Sequence, residues 1–200
     1  MTSVYFVRHA QPEHNWEDDR TRPLTAEGHV DCKKVSETLR DVAMGYAISS
    51  PYLRSRNTIK ECAEGNKIII HSDERLRERQ KGQEGNQYGM FQKRWADMDF
   101  HEEGGESLHM VQSRNMEALF EVLENHCGEK IIFGTHGTAL SSILNYYDPL
   151  FGCDSFLRII DFMPYIIRLD FDGTECIGKE ELLIVKKEFK GNHRADMNQV

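Results

Sequence analysis

The chain has 200 residues, 39% of them hydrophobic and 10% aromatic, which is enough apolar material for one core and too little for two full domains. Its formal net charge is −8 and it contains no block of lysine and arginine, whereas nucleic-acid surfaces bind by clustering cations against phosphates. We therefore expect one domain over residues 1–200, no nucleic-acid partner and a small ligand.

The cysteines and the apolar runs indicate the compartment. The five cysteines are widely spaced and form no Cys-x-x-Cys pair, which favours reduced thiols over a disulfide framework or a zinc knuckle. No basic region precedes the short apolar stretch at the start, and no apolar run approaches the ~20 residues of a membrane span. We expect a cytoplasmic protein without membrane association.

The first predicted element is a short buried strand, residues 4–7, which ends abruptly at Arg8 and His9. Open α/β sheets bind their ligands at such carboxyl ends of strands. Thr25 is predicted to cap the helix that follows, because apolar residues recur after it at helical spacing. A second strand over residues 46–49 leads into a helix after Pro51, and a third strand is predicted over residues 67–71.

Residues 72–105 show no clean hydrophobic period and interleave aromatic residues with charges, so we predict an insertion that folds over the active site. The aromatic residues Tyr88, Phe91 and Trp95 are expected to pack within it. Ser107 then caps a long helix that ends by Gly128.

The rest of the chain continues the alternation of strands and helices. A strand over residues 131–134 delivers His136 at its end, and a helix is predicted over residues 138–147. Three further strands are predicted, of which the last two form a hairpin around residues 172–173; they cover residues 156–160, 165–171 and 182–189. Residues 191–200 are a polar tail. The pattern predicts an α/β fold, a three-layer sandwich with a mainly parallel sheet covered by helices on both faces.

Polar groups suited to a phosphoryl group follow three of these strands. Arg8 and His9 follow the first strand, Arg54 the second and His136 the fourth. An arginine fork can donate two parallel hydrogen bonds to phosphate oxygens, and a neutral imidazole is a competent nucleophile towards phosphorus. Their convergence predicts an anion site, although it does not by itself name a reaction.

The segments RHAQPEHN, SPYLRSRNT and GTHG, together with three others in chain order, resemble the signatures of the histidine phosphatase superfamily, in its phosphoglycerate mutase-like family. Residues 8–15 (RHAQPEHN) are similar to the family's Arg-His-Gly-x-Thr-x-x-Asn, with Ala10 where glycine is usual. The other segments are residues 24–28 (LTAEG), 50–58 (SPYLRSRNT), 76–85 (LRERQKGQEG), 105–107 (GES) and 134–137 (GTHG). One match could arise by chance, but six in family order on the predicted elements are improbable by coincidence.

The resemblance implies a phosphohistidine mechanism. His9 is the implied nucleophile, and Glu78 the general acid that protonates the departing alkoxide and later activates water. Arg8, Arg54 and His136 are implied both to bind the phosphoryl group and to act in catalysis. Asn15, Ser107 and Arg79 are implied further contacts to the phosphate or the substrate. No metal and no other cofactor is required, since cationic side chains take that place.

Several functions remain open within this resemblance. A phosphatase that hydrolyses a small phosphomonoester is favoured, because the chain looks too short for the larger insertion of the mutases. The alternatives are phosphoglycerate mutase-type transfer, a sugar bisphosphate phosphatase and a non-catalytic module that binds phospho-ligands. A metallophosphatase is disfavoured by the lack of dense metal-ligand motifs, and a P-loop enzyme by the missing Gly-x-x-x-x-Gly-Lys-Ser/Thr. The expected partner is a small phosphorylated metabolite, with the oligomeric state left open.

Overall fold

The computed structural model describes residues 1–87 and 89–187. Its centre is a six-stranded sheet in the order β3-β2-β4-β1-β5-β6. The strands are β1 (Thr2–Arg8), β2 (Tyr46–Ser49), β3 (Ile70–Ser72), β4 (Lys130–Thr135), β5 (Phe162–Asp172) and β6 (Glu175–Lys186). The helices are α1 (Ala26–Thr38), α2 (Leu53–Gly65), α3 (Met90–Ala96), α4 (Leu108–Asn125), α5 (Gly137–Tyr147) and α6 (Cys153–Ile159).

The sheet has a parallel part and an antiparallel edge. Strands β3, β2, β4 and β1 are parallel neighbours, whereas β5 pairs antiparallel with β1 and β6 pairs antiparallel with β5. The predicted α/β fold with a mainly parallel sheet is therefore confirmed, and the two added strands make the sheet mixed. The carboxyl ends of the four parallel strands lie along one edge, which is where such sheets place a ligand.

The core lies on both faces of the sheet. All seven residues of β1 are buried. Val4 and Phe6 pack in one cluster with residues of α4 and α5, while Tyr5 and Val7 pack in another with residues of α1 and α2. Successive side chains of a strand point to opposite faces, so a strand covered on both faces must be apolar throughout. This explains why the first strand is a continuous apolar run.

Two helix starts follow the prediction from capping residues. The Thr25 hydroxyl accepts a hydrogen bond from the Gly28 amide at 2.9 Å, and the Ser107 hydroxyl accepts one from the Met110 amide at 3.1 Å. Each bond satisfies an amide that has no partner within its own helix. These caps set where α1 and α4 begin.

The predicted strand over residues 156–160 is wrong, because this segment lies in helix α6 and the residue after it. A short apolar run has no period that separates a buried strand from a buried helix. Phe156 and Ile160 stand four residues apart, lie on one helical face and pack with Phe91 of α3. The long-range contact between α6 and α3 therefore decides the conformation.

Other strand boundaries shift. The third strand begins at Ile70 rather than at Lys67, whose φ of 58° places it in the left-handed region after α2. The predicted hairpin between β5 and β6 is present, but it turns at residues 173–174, one residue later than predicted, and Gly173 has a φ of 58°. Strand β6 begins earlier than predicted, and residues 188–200, including the predicted polar tail, lie outside the described residues.

Within residues 1–87 and 89–187, none of the helices combines the length and the apolar character that crossing a membrane demands.

Candidate active site

The four residues singled out at strand ends meet at the carboxyl edge of the parallel strands. Arg8 ends β1 and His9 follows it, Arg54 lies in the first turn of α2 after β2, and His136 follows β4. These strands are neighbours in the sheet, so their ends lie side by side. The imidazole rings of His9 and His136 have centroids 5.3 Å apart.

A pocket of about 220 Å³ opens at this edge. The insertion helps to close it, since Arg79, Lys81, Asn86 and Phe91 belong to its lining. Among the described residues, five cationic side chains and two carboxylates line the pocket: Arg8, Arg22, Arg54, Arg79 and Lys81, with Asp19 and Glu78. The site is thus positive in a chain whose formal net charge is −8, which suits an anionic ligand.

His9 is held as a neutral imidazole. Its Nδ1 lies 2.7 Å from the carbonyl oxygen of Ala10, which can only accept, so Nδ1 carries the proton and donates it. Burial, together with the charges of Arg54 and Arg8, holds the pKa of His9 well below its usual value of 6.5. The lone pair of Nε2 is therefore available at neutral pH, as a nucleophile requires.

Arg8 is fixed from behind by the backbone. Its Nη1 donates to the carbonyl oxygens of Ile159 and Phe162, at the end of α6 and the start of β5. A Cβ on Gly137 would lie 3.3 Å from the guanidinium, so the glycine leaves room for this side chain. Burial lowers the pKa of Arg8 to about 10, which leaves it charged at neutral pH.

Arg54 is buried and bound by the loop that follows β1. Its Nη1 donates to the carbonyl oxygen of Asp19 at 2.6 Å, and its Nη2 lies 3.3 Å from the Asp19 carboxylate. The guanidinium also lies over the Tyr52 ring, 5.0 Å from its centroid. Desolvation lowers the pKa of Arg54, while Asp19 and Glu78 oppose that shift.

His136 lies behind this arrangement and is fully buried. Its Nε2 is 2.7 Å from the Ser50 hydroxyl, and its Nδ1 has no hydrogen-bond partner among the described residues. Burial and the neighbouring charge of Arg54 hold the pKa of His136 well below 6.5. It lies beside His9 without belonging to the pocket lining.

Glu78 lines the pocket and is anchored by three backbone amides. Its Oε2 accepts from the Thr138 amide at 3.0 Å, and its Oε1 from the amides of Ala139 at 3.2 Å and Arg79 at 2.8 Å. Two of these amides begin α5, where a helix presents free N–H groups to an anion. The charged neighbours Arg75, Arg77 and Arg79 alone would suggest a solvated face of mixed charges for Glu78, and these contacts place it in the pocket instead.

Arg79 lines the pocket and is held there by hydrogen bonds to a carboxylate and a backbone carbonyl. Its Nη1 donates to Glu102 Oε2 at 3.1 Å and to the Glu106 carbonyl oxygen at 2.8 Å. Its Nη2 is buried and has no hydrogen-bond partner within the described part of the chain. Arg77, by contrast, pairs with Glu106 at 2.6 Å and is absent from the lining.

Two predicted contacts lie elsewhere. Asn15 lines a neighbouring depression together with Glu13 and His14, rather than the main pocket. Ser107 is buried and uses its hydroxyl to cap α4. The structure therefore brings Arg8, His9 and Arg54 together with the side chains of the insertion, and leaves these two outside the lining.

Sequence reasoning missed several pocket residues. Asp19 and Arg22 lie in the polar loop after β1, which has no periodic pattern to mark them. Phe91 was expected only to pack, and it does pack on Phe156 with ring centroids 5.1 Å apart, but both also line the pocket. Tyr88 lies outside the described residues. A usable signal for Arg22 was its position two residues before Leu24, which begins one of the signatures.

This geometry defines an α/β protein with a cationic pocket, suited to an anion, at the carboxyl edge of its parallel strands. The family model for the histidine phosphatase superfamily (branch 1) matches residues 4–157, and the chain belongs to that superfamily. Among curated relatives, a probable phosphoglycerate mutase GpmB from Salmonella choleraesuis is 29% identical over 166 residues, which cover 72% of this chain and 74% of the relative.

Solved structures share the fold. Bacillus stearothermophilus YhfR superposes with a TM-score of 0.73 at 22% identity, covering 88% of this chain and 94% of its own. A phosphoserine phosphatase from Entamoeba histolytica, in complex with 3-phosphoglyceric acid, superposes with a TM-score of 0.74 at 16% identity, covering 94% and 98% of the two chains. At these identities the likeness establishes the architecture.

The buried histidines predict a pH-dependent stability. Below a pH of about 6.5 the unfolded chain protonates both imidazoles, whereas folded His9 and His136, with lowered pKa values, do not. The unfolded state then binds more protons than the folded state. The free energy of unfolding should therefore decrease as the pH is lowered, by up to about 1.4 kcal/mol per pH unit for each histidine. Urea denaturation between about pH 7 and pH 5.5 measures this slope. His9→Ala should remove one histidine's share, and an unchanged slope in that variant would show that His9 is not held neutral.

Proposed function

We propose that this protein is a phosphatase that hydrolyses a small phosphomonoester through a phosphohistidine on His9. The observation that carries the proposal is the state of His9: a buried neutral imidazole whose Nδ1 is tied to the Ala10 carbonyl, beside Arg8 and Arg54. Only Nε2 is then free to attack, and two cations lie beside the attacking group to meet the phosphoryl oxygens.

In the first step, His9 Nε2 forms a bond to phosphorus while the bond from phosphorus to the ester oxygen breaks. Glu78 in its protonated form gives its proton to the departing alkoxide. Arg8 and Arg54 balance the charge on the equatorial oxygens, and His136 supports them through its Nδ1, which has no partner among the described residues. The Nδ1 proton of His9 stays on Nδ1 and keeps its hydrogen bond to the carbonyl oxygen of Ala10, so the phosphorylated ring keeps its orientation.

In the second step, Glu78 as a carboxylate takes a proton from water, and the water oxygen attacks phosphorus. The bond from Nε2 to phosphorus breaks, inorganic phosphate leaves, and His9 returns to its neutral form. Three of the four lone-pair sites of the carboxylate are taken by backbone amides, which leaves one on Oε2 for the transferred proton. The same group thus serves both steps without losing its anchor.

The pocket favours a small substrate with an acidic or polar leaving group. Its volume of about 220 Å³ is below the ~300–1,000 Å³ typical of drug-sized ligands. Arg79, Lys81 and Arg22 lie in the lining beyond the pair that would hold the phosphoryl group, so they can meet a second anionic group. The Entamoeba phosphoserine phosphatase with bound 3-phosphoglyceric acid fits this chemistry, and a sugar bisphosphate would also satisfy it.

A mutase is the second candidate, favoured by the name of the curated relatives. Phosphatase and mutase share the phosphohistidine and differ in whether water or a substrate hydroxyl takes the phosphoryl group. The insertion over residues 72–105 supports transfer to water, because we expect mutases to carry a larger insertion over the pocket. A non-catalytic module is disfavoured, since nucleophile, acid and cations are all present.

Trapping the intermediate tests the proposal. Brief reaction with a phosphorylated metabolite labelled on phosphorus, followed by an alkaline quench, should leave one acid-labile label on the peptide that contains His9. The metabolite is found first by a screen for phosphate release, run with and without a chelator. Label on serine or aspartate would contradict the mechanism, as would activity that a chelator abolishes. Isomer formation without phosphate release would favour the mutase.

A further inference from the structure

The loop between β1 and α1 places a carboxylate inside the cationic pocket. Asp19 Oδ2 lies 3.3 Å from Arg54 Nη2, and Asp19 Oδ1 lies 3.2 Å from Arg22 Nη2. The carbonyl oxygen of the same residue accepts from Arg54 Nη1 at 2.6 Å. Asp19 lines the pocket together with His9. Both terminal nitrogens of Arg54 are therefore engaged by one residue of this loop.

A carboxylate and a phosphate compete for the same donors. The guanidinium fork of Arg54 matches the spacing of oxygens in either group. A phosphate and a carboxylate that both bind Arg54 therefore exclude or repel each other. The Arg54 side chain is only 4% exposed, whereas the Asp19 side chain is 38% exposed. The arginine is thus fixed, and the carboxylate is the member of the pair that can yield.

The neighbours of Asp19 hold the loop in this place. The Asp18 carboxylate accepts from the Arg20 amide at 3.0 Å and from the Thr21 hydroxyl at 2.8 Å. The carbonyl oxygen of Arg20 accepts from the Leu53 amide at 2.9 Å, which ties the loop to the start of α2. The position of Asp19 in the pocket is therefore held from both sides, by the Asp18 carboxylate before it and by the Arg20 carbonyl oxygen after it.

We propose that Asp19 acts as an internal competitor for the phosphate site and weakens the binding of a phosphate dianion there. Its negative charge opposes a dianion more strongly than a monoanion, because the Coulomb energy scales with the product of the charges. Free inorganic phosphate, mainly a dianion at pH 8, is thereby held weakly and leaves the pocket after turnover. This inference rests on the proposed phosphatase function, because it assumes that phosphate occupies the site beside Arg54.

Titration calorimetry with inorganic phosphate at about pH 8 tests the proposal on the intact chain. Asp19→Asn keeps the size of the side chain and the backbone carbonyl contact but removes the charge, so the dissociation constant should fall at least about tenfold. Asp19→Ala should tighten binding as well. Glu17→Gln is the matched control, since Glu17 is an exposed carboxylate of the same loop outside the pocket lining, and its replacement should change the constant less than about twofold.

The outcomes separate the two claims. If the unaltered chain binds phosphate and both Asp19 variants bind it equally well or more weakly, the role of Asp19 as a competitor is overturned and the phosphate pocket stands. Asp19 would then be a residue that supports Arg54. Equal tightening by Glu17→Gln overturns it as well, because the effect would then come from the general charge of the loop. Absence of phosphate binding in the unaltered chain and in every folded variant, as judged by thermal unfolding, overturns the proposed phosphate pocket together with this inference.

Discussion

Replacement of His9 by alanine is expected to lower phosphate release at least about 10⁴-fold, because the variant has no atom to accept the phosphoryl group. Arg8 is held by two backbone carbonyls and Arg54 by Asp19, so neither cation depends on the imidazole for its position. Binding of inorganic phosphate should therefore persist within about tenfold. Single-turnover release of alcohol and calorimetric binding of phosphate measure the two quantities separately.

His29→Ala is the matched control, since His29 is an exposed histidine on α1 and should be replaceable without loss of activity. A His9→Ala variant with substantial phosphatase activity would refute the phosphohistidine mechanism. A variant that loses phosphate binding as well would show that His9 supports the pocket as a whole. The combination of lost turnover and kept binding is specific to a nucleophile.

Replacement of Glu78 by glutamine is expected to slow phosphorylation of His9 by an alkyl phosphate about 100-fold more than phosphorylation by an aryl phosphate. An alkoxide is a strongly basic leaving group and needs a proton in the transition state, whereas nitrophenolate leaves without one. In the unaltered protein, backbone amides donate to the Glu78 carboxylate, and the glutamine NH₂ would face one of these donors. This clash would slow the reaction with both substrates, so the difference between the two leaving groups is the informative quantity. Rapid-quench single turnovers with both substrates measure it.

Glu84→Gln is the matched control for this experiment. Glu84 is an exposed carboxylate of the same segment and is absent from the pocket lining, so its loss should affect both substrates little. Equal slowing of both phosphorylations in Glu78→Gln would remove Glu78 as the acid. The next candidate for the acid is then Asp19, which lines the pocket. Glu106 is the other nearby carboxylate, but it is engaged by Arg77 and Arg114 and does not line the pocket.

Local patterns predicted most of the parallel part of the fold. The apolar run before Arg8 is buried on both faces of the sheet, and Thr25 and Ser107 cap their helices as their chemistry indicates. Short-range rules suffice there, because a strand's period, a cap and a turn depend on residues only a few positions apart. Short-range rules gave the wrong structure for residues 156–160, because α6 is stabilised by packing on Phe91, which lies far away in the chain.

The candidate site divides in the same way. The sequence alone determined that Arg8, His9, Arg54 and His136 follow strand ends, and topology then requires those ends to lie side by side. The family signatures added Glu78, which the pattern of charges around it would have left on the surface. These are properties of position along an element, and position is what a sequence pattern encodes.

Only the tertiary structure decided the contacts that give these residues their chemistry. It determined that Nε2 is the free nitrogen of His9, because Nδ1–H donates its hydrogen bond to the Ala10 carbonyl oxygen. It also placed Glu78 on the amides that begin α5, 60 residues away, and brought the Asp19 carboxylate to Arg54, 35 residues away. Such contacts join segments that share no period or spacing, so hydrogen bonding and burial in the folded chain determine them, and no local pattern carries that information.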